Sequence, residues 1–255
     1  MIRDLGVQLY SLRTEAEKDF PATLRFVAET GYKAVEPAGF WNLTPREFKK
    51  TCDDLGLRIV SSHEPSARRV EDVPAVVETL GELGLRTAVC GFGADHFKDL
   101  DAIKRTAELV NALQEAFARQ GVTLIQHNHF FEFDRIDGEL KYSIYARLCP
   151  KVKFQLDAFW SSNFGKNDPV EMVKLFAPRM ASLHLKDGNQ ATSLDDLKLF
   201  PLGTGVMDIP ALVAATPETV DTIIVELDTC VIDMREAFRQ SYRYMTEHGL
   251  GVGNV

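Results

Sequence analysis

The chain has 255 residues, 45% of them hydrophobic and 26% charged, which are the proportions of an ordinary globular protein. Its formal net charge of −8 argues against a phosphate-backbone partner, which needs a basic surface, and the basic clusters are short pairs such as Lys49-Lys50 and Arg68-Arg69. No apolar run approaches the length of a membrane span, and the opening residues lack the apolar stretch of a signal peptide.

Cys52, Cys90, Cys149 and Cys230 form no Cys-x-x-Cys pair, so no disulfide framework is expected and the cytoplasm is the expected compartment. Neither nucleic acid nor membrane is an expected partner, while self-association into a homo-oligomer is compatible with the composition.

Residues 6–10 read as a short first strand ending in polar residues. An amphipathic helix follows, with Phe20, Leu24 and Val27 spaced four and three apart. A unit then recurs: helix, glycine, one apolar residue, one polar residue, strand. It begins at Gly31, Gly56, Gly84 and Gly121, and each glycine suits the left-handed position just past a helix C-terminus. The spacing predicts a helix over 45–55, opened by Thr44 with Glu47 three residues on. A second covers 100–120, with Leu100, Ile103, Ala107, Val110, Leu113 and Phe117 on one face. Further strands are predicted near 152–157, 180–186 and 222–227, with a last helix over 234–248.

Counted from Gly6, these make eight strand–helix units with no Pro/Ser/Gly-rich linker. The expected architecture is α/β, a (β/α)8 barrel in a single domain over residues 1–255. The same alternation also permits a doubly wound open sheet. The count of eight and the lack of a Gly-x-Gly-x-x-Gly after the first strand favour the barrel. Two connections, 131–142 with its Asp137-Gly138 turn and 187–208 with Gly203-Thr204-Gly205, are long enough to be functional.

In a parallel barrel, ligands bind at the C-terminal ends of the strands. Those ends read Gln8, Glu36, His63, Cys90, His127, Asp157, His184 and Glu226. Glu36 alone reads more readily as a carboxylate capping a loop than as a ligand, and His63 equally as a core histidine. Asp157, His184 and Glu226 each end an apolar strand, where a polar group is costly to bury unless something binds it. They are expected to share one divalent ion. Mixed carboxylate and imidazole donors suit manganese, magnesium, cobalt or zinc.

The stretch Ile125-Gln126-His127-Asn128-His129-Phe130-Phe131-Glu132-Phe133 resembles the fifth strand of the xylose isomerase-like TIM-barrel superfamily of sugar phosphate isomerases and epimerases, in the branch reading Tyr-His-Asn-His-x-x-Glu-Phe. Leu156-Asp157-Ala158-Phe159-Trp160 is similar to its Leu-Asp-x-x-Trp, and His184-Leu185-Lys186-Asp187 to its His-x-Lys-Asp. Gly203-Thr204-Gly205-Val206-Met207-Asp208 and Val225-Glu226-Leu227-Asp228 complete the series in family order.

The resemblance implies a metal held by Asp157, His184 and Glu226, with His127 standing where the family's epimerases carry a glutamate. Gln155 stands where the branch often has Glu. The implied enzyme is a sugar isomerase or epimerase acting on a small carbohydrate, a keto-sugar or polyol, through an enediolate. Glu226 would be the base, His127 a ligand or second acid–base group, and Lys186 a donor to a substrate oxygen. Gln8, Glu36, His63, His129 and Trp160 are further candidates for contacting substrate, and Phe40 and Trp41 for stacking on a sugar ring.

Two alternatives stay open. One is a lyase or dehydratase acting on a keto-sugar, a keto-inositol or a 3-keto-glycoside, and the other a sugar-binding protein without catalysis. The fold's DNA-repair relatives need a multinuclear zinc site and a DNA-binding face, against which stand the acidic charge and only six histidines.

Overall fold

The computed structural model describes residues 2–254. Eight parallel strands form one sheet: β1 (Asp4–Gln8), β2 (Ala34–Glu36), β3 (Arg58–Ile59), β4 (Thr87–Cys90), β5 (Thr123–His127), β6 (Lys153–Asp157), β7 (Met180–Leu185) and β8 (Thr222–Val225). Their order in space is β3-β2-β1-β8-β7-β6-β5-β4. Successive strands are therefore neighbours, and β8 pairs with β1 through Val7 opposite Val225. Among the described residues no ladder joins β3 to β4. Side chains span the interior instead: His63, beyond β3, reaches Gln155 on β6 at 2.7 Å. The curled sheet is that of a (β/α)8 barrel.

Eight helices alternate with these strands: α1 (Phe20–Thr30), α2 (Pro45–Asp54), α3 (Val73–Leu83), α4 (Leu100–Arg119), α5 (Lys141–Leu148), α6 (Pro169–Phe176), α7 (Ile209–Ala215) and α8 (Met234–Glu247). Local chemistry starts and stops them. Asp19, Asp99, Asp168 and Asp233 accept backbone N–H groups at their N-caps, and Thr44 with Glu47 forms the expected capping box. Gly31, Gly56, Gly84 and Gly121 all have positive φ, the conformation expected of the four unit-opening glycines. No helix of the described residues is long and apolar enough to cross a membrane.

Three expectations shift. The first strand runs from residue 4 to 8 rather than 6 to 10, because the Gln8 side chain accepts the Tyr10 N–H and turns Leu9–Leu12 into a 3-10 helix. Leu100 opens α4 but is 39% exposed, since the first turn extends past the core. His63 lies four residues beyond the short β3, carried to the mouth by its N–H bond to Pro37 O.

Both long connections are built. Arg135–Ile136 pairs with Glu139–Leu140 around the Asp137-Gly138 turn, both central residues having positive φ as that tight hairpin demands. In the other, buried Asp187 accepts from the N–H groups of Gly188, Gly203, Gly205 and Met207, at 2.9–3.1 Å. A Cβ at position 205 would collide with Asp187 Oδ1 and the Gly188 backbone. Gly205→Ala is therefore expected to destabilise the protein by roughly 2–3 kcal/mol, read as a lower urea midpoint, through overpacking against a carboxylate that has no room to move.

Candidate active site

The C-terminal ends of the strands place a cluster of ionisable side chains in the barrel mouth, with Glu36 at its base. The Glu36 carboxylate has no exposed surface. Gln8 Nε2 and Ser61 Oγ donate to it, and Gln155 Nε2 donates to its Oε2 at 2.6 Å. His63 Nε2 and His184 Nε2 lie 2.9 and 3.0 Å from its Oε1. Burial alone would raise this carboxyl, but the two imidazoles outweigh it and hold Glu36 well below the usual carboxylate range.

Gln155 transmits the arrangement upward. With its amide nitrogen given to Glu36, its carbonyl oxygen accepts from His63 Nε2 at 2.7 Å and from His127 Nδ1 at 3.0 Å. Burial, aided by the neighbouring His63 and His184 rings, holds His127 well below the ordinary imidazole range, so it is neutral at pH 7. A neutral ring that donates through Nδ1 leaves the Nε2 lone pair for a ligand.

His184 is in the opposite state. Its Nδ1 is 2.7 Å from Glu226 Oε2. Burial would lower its basicity, yet Glu36 and Glu226 on either side overcome this and push it up to about 10. Its Nε2 lies near Glu36 without the alignment of a hydrogen bond and is a buried polar atom lacking a partner.

Lys186 completes the cluster. Its ammonium is 2.6 Å from both Asp157 Oδ2 and Glu226 Oε2, and 3.5 Å from Asp228 Oδ2. Burial would lower its pKa, but the carboxylates raise it above the ordinary lysine value. Glu226, which burial would raise, is held well below its usual range by Lys186 and His184.

One donor atom from each of His127, Asp157, His184 and Glu226 lies within 4.8 Å of the others, and His63, His127 and His184 form an overlapping trio. Imidazole and carboxylate donors at these separations fit a divalent ion. Above them opens a cavity of about 450 Å³ whose walls include Tyr10, His129, Trp160, Lys186, Glu226 and Asp228.

The other residues singled out from the sequence fall into three groups. His63, His127, His129, Trp160, Lys186 and Glu226 line this cavity. Gln8, Glu36, Asp157 and His184 have no exposed surface and support it from below. Phe40 and Trp41 lie elsewhere, packed in a ring cluster with Phe20 and Phe48. Cys90 points to Ile125 O and Gln126 within the core.

Some of the site was missed in the sequence. Ser61 carried no signal, being one serine among several near a strand end. Asn128 had one: an amide between two strand-end histidines has to spend its hydrogen bonds somewhere. It clasps Asp157, accepting from its N–H at 2.9 Å and donating to its carbonyl at 3.2 Å. This ties β5 to β6 where ligand-type residues emerge from both.

A family model described as xylose isomerase-like TIM barrel matches residues 24–248. No curated protein gives a significant match. Among solved structures, a sugar phosphate isomerase/epimerase from Parabacteroides distasonis is 26% identical, covering 98% of this chain and 96% of its own, with a TM-score of 0.77. An L-ribulose 3-epimerase is 19% identical over 98% and 95%, with a TM-score of 0.72. A probable 3-DHS dehydratase from Bacillus anthracis, involved in petrobactin synthesis, is 13% identical over 95% and 98%, with a TM-score of 0.74.

The imidazolium of His184 makes metal-free stability depend on pH. A group whose pKa is raised on folding contributes fully below its unfolded value and loses that contribution as pH passes its folded value. For His184 the window runs from 6.5 to about 10. The thermal midpoint of metal-free protein is expected to fall across that window. In Glu36→Gln, which removes one of the two flanking carboxylates, the fall should be smaller and end at lower pH. Calorimetry at half-unit pH steps measures both.

Proposed function

The chain belongs to the xylose isomerase-like TIM-barrel family, and from that premise we propose a divalent-metal-dependent sugar isomerase or epimerase, a single domain over residues 1–255. Its substrate class is a keto-sugar or polyol, and its reaction is proton removal next to a carbonyl. The observation that carries this reading is the convergence of His127, Asp157, His184 and Glu226 within 4.8 Å, beneath a cavity of sugar-accommodating size. The likeness to a sugar phosphate isomerase/epimerase over nearly the whole chain supports it.

The ligands in this reading are His127, Asp157, His184 and Glu226. An ion held there supplies Lewis acidity, spreading the charge that develops on a substrate carbonyl and adjacent hydroxyl as the enediolate forms. Glu226 takes the α-proton. Lys186 and His184 keep this carboxylate ionised and also make it a weak base, so proton removal depends on acidifying the substrate carbon. Lys186 donates to a substrate oxygen from the cavity wall, and His127, neutral and steadied by Gln155, presents Nε2 inward. Trp160 offers an apolar face for the sugar ring. Glu36, with Gln8 beneath the cavity, sets the orientation of His63, Gln155 and His184.

A lyase or dehydratase is favoured by one specific observation. Two-base epimerisation needs acid–base groups on both faces of the substrate carbon. The ionisable groups lining the cavity are the carboxylates Glu64, Glu226 and Asp228, the cations Arg68 and Lys186, the Tyr10 phenol and three imidazoles, His63, His127 and His129. An imidazole suits protonation of a departing oxygen near neutral pH. The same enediolate would then expel a β-hydroxyl or a glycosidic oxygen.

A keto-sugar panel in deuterated water separates the readings. Isomerisation conserves mass and places deuterium on the carbon beside the carbonyl, whereas elimination loses water or an aglycone. Failure to exchange any substrate proton, with sugar still bound, would overturn both in favour of a binding protein. Glu226→Gln is expected to lower turnover about 10²–10⁴-fold while the thermal midpoint with bound metal moves far less; near-normal turnover would remove Glu226 as the base. His127→Glu should tighten metal binding in an equilibrium titration by restoring a third ligand charge, and unchanged affinity would place His127 outside the ligand set.

A further inference from the structure

The ammonium of Lys186 sits where a metal's own charge would be needed. It is 1% exposed and within 2.6 Å of one oxygen from each of Asp157 and Glu226, two of the four residues whose donor atoms converge. The second oxygen of Asp157 is already occupied by the Trp160 N–H at 2.9 Å, and Glu226 Oε2 is shared with His184 Nδ1. Lys186 therefore holds carboxylate oxygens that a divalent ion would use, and it brings a positive charge into the same small volume.

We propose that Lys186 is the resident counter-ion of the metal-free site: it neutralises Asp157 and Glu226 until an ion enters, competes with that ion for their oxygens, and so sets the protein's metal affinity. The inference rests on the metal-binding reading above.

Two physical arguments lead to this. Carboxylates taken out of water need a cation close by; His184 pairs with Glu226 alone, and among the described ion pairs Lys186 is the cation that reaches both Asp157 and Glu226. A buried cation and an incoming ion repel each other strongly, because the surrounding protein screens them far less than water does. Lys186 also has somewhere to go. It lies on the cavity wall beside Asp228 Oδ2, a buried oxygen with an ion-pair neighbour but no hydrogen bond, and 5.8 Å from the Trp160 ring. Moving away from Asp157 and Glu226 would turn the ammonium towards the cavity, where a substrate oxygen could receive it. One residue would then serve both states, balancing charge without metal and meeting substrate with it.

The test is a calorimetric titration of metal-stripped full-length protein with manganese chloride, comparing wild type with K186Q and K186M. Both variants are expected to bind manganese about tenfold or more tightly, by loss of a competing charge. Without metal both should melt below wild type, and manganese should raise their midpoints by more than it raises that of wild type. Equal or weaker manganese binding by K186Q and K186M would overturn the proposal. Should either variant fold only in manganese, its release of the ion to a chelator is timed instead. Slower release than wild type supports the inference, and equal or faster release overturns it.

Asp157→Asn and Glu226→Gln separate the two levels of the argument. If neither weakens manganese binding, the site is not the metal site and the Lys186 inference falls with it. If both weaken binding while K186Q leaves it unchanged, the metal site stands and only the role of Lys186 is lost.

Discussion

The architecture of the barrel mouth depends on one constraint: carboxylates withdrawn from water have to be matched, atom by atom, by donors and cations. Glu36 is the most demanding of them. It lies at the end of a three-residue strand with no exposed surface, and side chains from β1, the β3 end, β6 and β7 converge on it. Satisfying it orients Gln155, and Gln155 in turn orients His63 and His127. The same contacts join opposite sides of the barrel, including the β3 edge, which has no ladder bonds to β4 among the described residues.

That constraint also divides two histidines of similar burial into different chemical states. His184 lies between two carboxylates and is driven towards the imidazolium. His127 faces an amide oxygen and the rings of His63, His129 and His184, and burial with these rings drives it towards the neutral form. The glutamine at position 155 preserves the difference, because it accepts from the His127 imidazole without adding charge. A carboxylate there would put a second anion against Glu36 and pull a proton onto His127, removing a lone pair suited to a metal or a substrate proton.

The loops above the strands are held by similar means. Asp187 gathers four backbone N–H groups and folds the long connection after β7 onto itself. Asn128 fastens the end of β5 to that of β6, and the Asp157 carboxylate caps the short helix that carries Trp160. Trp160 thus has its position set by a residue of the charged cluster below it. Its other side borders a second cavity of about 360 Å³, lined by Phe159, Phe164 and Met207. The wall that would meet a sugar ring is therefore coupled, through one carboxylate, to the oxygens that Lys186 holds.

The sequence by itself determined the alternation of eight strands and helices, the glycines that end the helices, the caps that start them, and the residues at the strand ends apart from His63, which lies beyond β3. These features are local: a period of two or 3.6, or a turn requirement satisfied within a few residues. It also brought Asp157, His184 and Glu226 into one set, because barrel topology sends every strand end to the same mouth, and the family resemblance added His127 to them. Only the tertiary structure decided how those groups are charged and which of them face the cavity. Glu36 and Gln155 are 119 positions apart, and nothing in either neighbourhood announces their bond. Phe40 and Trp41 looked suited to a sugar ring but pack beside Phe20 and Phe48, since aromatic rings satisfy a core and a ligand by the same burial of apolar surface. Charge state, exposure and partnership depend on distances between residues remote in the chain, and those distances exist only once the sheet has curled.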